Sequence, residues 1–108
     1  MRKPDVALVK LARVDQLKPG SFLAVEHDGE PIALYNVNGK IYATRNECSH
    51  DGGTLTGGWM EGACVVCPRH GAKFDVTSGK AMALPAVISI DTYPVKAEGN
   101  DIYVELEV

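Results

Sequence analysis

The chain has 108 residues, room for one domain, with 45% hydrophobic content and 11 basic against 14 acidic side chains. A net charge of −3 argues against nucleic-acid binding, which wants a basic excess. The longest near-apolar stretch, Ala81 to Ile90, is too short to cross a bilayer.

The opening Met1-Arg2-Lys3-Pro4-Asp5 leads into an apolar run that Lys10 interrupts, without a secretory core or twin-arginine pair, so a cytoplasmic location is expected. Val14-Asp15-Gln16-Leu17 allows one helical turn before Pro19-Gly20. Three β-forming runs follow, Phe22–Val25, Ile32–Tyr35 and Ile41–Thr44, separated by Asp28-Gly29 and Asn38-Gly39. Those dipeptides are the two-residue turns of an antiparallel meander. The tail repeats the pattern: Ile88-Ser89-Ile90 opens a strand region, Glu98-Gly99-Asn100-Asp101 turns, and Ile102–Leu106 alternates. No stretch keeps a helical period, so the fold class is all-β.

The middle differs in kind. Between Arg45 and Lys80 lie seven of the eleven glycines, all three cysteines, two of the three histidines and the one tryptophan. Glycine-rich loops with few apolar runs wrap around something other than a hydrophobic core. The chain therefore divides into a base, residues 1–44 and 81–108, and an inserted tip, residues 45–80.

Within the tip stand Cys48-Ser49-His50 and Cys67-Pro68-Arg69-His70, each pairing a thiolate donor with an imidazole donor. Cysteines of a cytoplasmic chain read as metal ligands or free thiols before disulfides. Two chemistries suit the set: an iron–sulfur cluster with mixed ligands, or a Cys₂His₂ zinc site stabilising a binding module. Zinc fingers usually pair cysteine with cysteine and histidine with histidine, whereas each loop here mixes the two. Cys64-Val65-Val66-Cys67 also spells C-x-x-C, but residues three apart on a strand face opposite ways. With Cys67 turned to the metal, Cys64 is expected to be a small buried hydrophobe. His27 reads as a surface histidine, Arg69 as a surface charge, and Trp59 and the tyrosines as packing.

C-x-H, sixteen intervening residues, then C-P-x-H-G resembles the two-loop signature of Rieske proteins. The likeness continues through Gly71-Ala72-Lys73-Phe74-Asp75, Ser78-Gly79 and a Leu84-Pro85-Ala86 segment similar to the family's proline loop. The resemblance implies one [2Fe–2S] cluster, with Cys48 and Cys67 on one iron and His50 and His70 on the other. It also implies a Rieske fold, a small antiparallel barrel or sandwich carrying an inserted cluster-binding subdomain. Neutral imidazoles in place of two thiolates leave the oxidised cluster formally uncharged, which raises its potential above that of an all-cysteine cluster.

Respiratory Rieske proteins carry a disulfide between their cluster loops. Gly53 and Arg69 stand at the matching positions, so that bridge cannot form. Ala72 and Phe74 replace the serine and tyrosine that donate hydrogen bonds toward the cluster in those proteins. These departures resemble the soluble ferredoxins of aromatic-ring-hydroxylating dioxygenases. The implied role is electron transfer, with no catalysis by the chain itself, from a flavin- and NAD(P)H-dependent reductase to a terminal oxygenase. A small subunit of a nitrite-reductase-type enzyme is the alternative within the same chemistry. Four basic and four acidic residues leave 45–80 neutral, so contact at the tip is expected to fall to His50, His70 and Leu84-Pro85.

Overall fold

A computed structural model describes residues 6–49, 52–68, 71–84 and 86–107. Eleven strands are defined among them: β1 Val6–Arg13, β2 Phe22–His27, β3 Glu30–Val37, β4 Lys40–Arg45, β5 Trp59–Glu61 and β6 Cys64–Val66, followed by β7 Lys73–Asp75, β8 Ala81–Ala83, β9 Thr92–Tyr93, β10 Val95–Glu98 and β11 Asp101–Glu107. The only helical pieces among the described residues are the single 3₁₀ turns Val14–Gln16 and Leu55–Gly57. The strands form three antiparallel sheets, in the orders β1-β11-β10, β2-β3-β4-β9 and β5-β6-β7-β8.

The meander is built on its turn residues. His27 pairs with Glu30 and Val37 with Lys40, leaving two-residue loops. Asp28, Gly29, Asn38 and Gly39 all have positive φ, between 49° and 93°, as type I′ turns demand. The β10–β11 hairpin also closes with a two-residue loop, Gly99-Asn100, in which Gly99 has φ +60° and Asn100 does not have positive φ.

The inserted sheet takes in β8. Residues 81–83 pair with β7, and Asp75 turns the chain back between the two strands. The Asp75 carboxylate accepts hydrogen bonds from the amide and hydroxyl of Thr77, and its own amide donates to the Lys80 carbonyl. The tail strand begins later than expected. The segment 86–91 is not a strand, and pairing resumes at β9 and β10. Ala86 and Ile90 point into the core while Val87, Ile88 and Ser89 are exposed, a spacing that strand alternation does not produce.

Two cores lie on opposite faces of β3. Ile32 and Leu34 pack with Ile41, Ala43, Ile102, Val104 and Leu106 between the first two sheets. Ala33 and Tyr35 face the other way, into a core shared with the inserted sheet. All four β3 residues are fully buried, which explains why the strand reads as an unbroken apolar run rather than an alternating one.

Candidate metal centre

Cys48 and Cys67 come together in that second core, each about 1% exposed, among Leu55, Val65, Ala72, Phe74, Ala86 and Ile90. They belong to two loops of the same design. The Cys48 amide donates to the Gly53 carbonyl, and the Gly52 amide donates back to the Cys48 carbonyl, both at 2.8 Å. The Cys67 amide donates to the Ala72 carbonyl at 2.8 Å, and the Gly71 amide donates to the Cys67 carbonyl at 3.1 Å. Each cysteine is thus pinned by a pair of backbone bonds to residues four and five positions on. The loops close because Gly52 and Gly71 adopt φ of +74° and +75°.

A third segment ties the loops together. Buried Asn46 accepts from the Thr56 amide and donates to the Thr56 hydroxyl, fixing the turn Leu55–Gly57 beside the first loop. The far side of that turn lies on the second loop. A Cβ on Gly58 would fall 1.7 Å from the Val66 carbonyl oxygen and 3.2 Å from Pro68, so only glycine fits there. Sequence reasoning missed Asn46, since a lone asparagine after a strand carries no local signal of a contact ten residues away.

His50 and His70, with Arg69, Asp51 and Pro85, lie outside the described residues. Among the described residues no group of three or more histidines, cysteines or carboxylates is placed to hold a metal. Two soft thiol donors, buried together and held by rigid backbone, nevertheless fit a cluster that needs two thiolates on one iron. Backbone amides in glycine-rich loops can approach cluster sulfurs closely.

Cys64 is absent from this core. It sits on the outer face of the inserted sheet, in the cross-strand row Glu61–Cys64–Asp75, and is half-buried rather than fully buried as expected. Burial first, and the Asp75 carboxylate second, push its thiol above the ordinary value, opposed by Lys73. Trp59 lies on the same outer face, half exposed, its indole N–H donating to Glu61, which also binds Lys73. His27 is part-exposed beside Asp28. Ala72 and Phe74 are fully buried and bring no hydroxyl near the paired cysteines. Tyr35 shares the core, but its hydroxyl is engaged with Thr44 at 2.9 Å.

The sequence matches the family described as the Rieske [2Fe-2S] domain over residues 7–94. The chain belongs to the Rieske family. Its members' cofactor is the [2Fe–2S] cluster. The chain is 44% identical over 102 residues to the ferredoxin component of biphenyl 2,3-dioxygenase from Rhodococcus jostii (strain RHA1), covering 94% of this chain and 95% of that protein. Among solved structures it superposes on the Sphingomonas yanoikuyae B1 ferredoxin with a TM-score of 0.88 at 36% identity, over 93% of this chain and 99% of that one. It also superposes, with a TM-score of 0.86 at 28% identity, on a chain from a complex of reduced oxygenase and oxidised ferredoxin in carbazole 1,9a-dioxygenase, over 90% of this chain and 91% of the other. No helix among the described residues is long and apolar enough to cross a membrane.

Proposed function

We propose that this Rieske ferredoxin is the one-electron carrier of a ring-hydroxylating dioxygenase system, accepting electrons from an NAD(P)H-dependent flavin reductase and delivering them to a terminal oxygenase. Use of NAD(P)H would place the exchange in the cytoplasm. The observation that carries the reading is the matched pair of cysteine loops meeting in one apolar core. A [2Fe–2S] cluster bound there supplies a centre that takes up and gives back one electron at a time.

Every other contribution comes from the chain. Cys48 and Cys67 would hold one iron, and His50 and His70 the other. Leu55, Val65, Phe74 and Val76 keep water from the thiolate side. Residues 45–80, with β8, hold the cofactor, and the remaining strands form the base. Beside the loops, Leu84, Val87 and Ile88 present apolar side chains to solvent, Leu84 77% and Val87 75% exposed. Such a patch suits a partner contact that forms and breaks with each electron.

The test is direct. Aerobically purified protein should contain two irons and two acid-labile sulfides per chain, and on reduction should give the low-average-g resonance of a nitrogen-ligated cluster. It should also support oxygenase turnover when reductase and oxygenase are supplied. Colourless protein with stoichiometric zinc would overturn the proposal.

A further inference from the structure

We infer that Ser49 is a positioning residue, a latch that holds the segment 86–90 closed over the paired cysteines. Its hydroxyl donates to the Ile88 carbonyl at 2.5 Å, joining residues thirty-nine apart. Ser49 follows Cys48 directly, so this bond connects the first ligand loop to the segment carrying the exposed Val87 and Ile88.

The segment behaves as a strap by construction. It lacks strand partners between β8 and β9, and two buried side chains, Ala86 and Ile90, plug it into the core that holds Cys48 and Cys67. Its far end is fastened at Gly79, whose carbonyl accepts the Ile90 amide at 2.8 Å, and at Asp91, whose carbonyl accepts the Arg45 amide. The middle is fastened by Ser49, whose side chain bonds the backbone of this segment. A crevice of about 170 Å³, lined by Glu47, Cys48, Ser49, Ser89 and Ile90, already separates strap from loop. Losing the latch would widen it toward Cys48.

This rests on the cluster-binding reading, and the experiment separates the two. Ser49→Ala and Ser49→Thr holoproteins are compared with the parent by iron and sulfide content, by hydrogen exchange of the peptide spanning 86–91, and by the rate of iron release to a chelator. Exchange and release both follow the population of the open strap. The bond is solvent-exposed, so its loss should speed both about threefold in Ser49→Ala at full initial cluster content. Ser49→Thr, which keeps a hydroxyl, should restore the parental rates. Loaded Ser49→Ala with unchanged exchange and unchanged release would overturn the latch. A parent protein without iron would instead overturn the function it serves.

Discussion

Gly52 and Gly71 hold equivalent places: each stands four residues after a buried cysteine, donates its amide to that cysteine's carbonyl, and has φ near +75°. Neither has an atom within 3.4 Å of where a Cβ would go, so alanine there meets backbone strain and no clash. Each substitution should cost about 1 kcal/mol. Gly58→Ala meets the Val66 carbonyl head-on and should cost about 3 kcal/mol or more. Urea midpoints of the three variants check the order. No loss from the Gly52 and Gly71 variants would show that the loops do not need the left-handed conformation.

The cysteines should separate cleanly in substitution. Cys67→Ser should lose the cluster and much of the tip's order, because metal binding and local folding are linked, and His70→Ala should do the same. Cys64→Ser, on the outer face, should keep full iron. Iron and sulfide analysis of the three proteins decides. Loss from Cys64→Ser with retention by Cys67→Ser would reverse the ligand assignment.

Hydrogen bonds to cluster sulfurs stabilise the reduced, more negative state. Ala72 and Phe74 offer none from their side chains, so the potential should lie near the low end of the Rieske range, roughly −150 mV. Ala72→Ser and Phe74→Tyr should each raise it. Both sites are fully buried, so the added hydroxyls need room, and circular dichroism should accompany the voltammetry. A parental potential above zero would contradict this account.

Tyr35 offers a prediction unrelated to the metal. The Thr44 hydroxyl gives its proton to the Arg45 carbonyl, so Tyr35 must donate to Thr44. Burial pushes Tyr35 up to about 12 from 10.0. Below pH 10 both folded and unfolded chains keep the proton. Between about 10 and 12 the unfolded chain loses it first, so stability should fall there by on the order of 2 kcal/mol and level off above. Tyr35→Phe should flatten that fall in unfolding curves taken across this range. Tyr93, also raised to about 12 by burial and then by Glu30, is more exposed and contributes less.

Docking should depend little on charge. Residues 45–80 carry four charges of each sign, and the apolar Leu84, Val87 and Ile88 are exposed. Electron delivery should slow only modestly as salt rises, and Val87→Asp should impair it more than Glu105→Gln or Glu107→Gln. Stopped-flow rates against ionic strength test this. A steep salt dependence with Val87→Asp silent would move the contact to the base.

Much of this was legible in the chain. Turn dipeptides are local chemistry, so Asp28-Gly29 and Asn38-Gly39 announced the meander. The spacing of Cys48 and Cys67 announced two loops. What stayed hidden depends on distant partners. β1 gave no clear period because Lys10 breaks its apolar run and a bulge between Lys10 and Ala12 shifts its register against β11. Ile88 looked like strand, yet its backbone carbonyl is taken by Ser49 rather than by a neighbouring strand. The Asn46–Thr56 clamp likewise joins two stretches that are each unremarkable alone.

The two-faced burial of β3 acts as a proofreading device. Side chains alternate across a strand, so a slip of one residue would exchange its faces, swinging Tyr35 out of the cysteine core and Leu34 into it. Neither core could then fill: the first would receive Tyr35, with no Thr44 to bond its phenol, and Ala33 where a branched side chain belongs, while the cysteine core would receive Ile32 and Leu34. The two type I′ turns at the ends of β3 count the residues, and the unequal cores check the count.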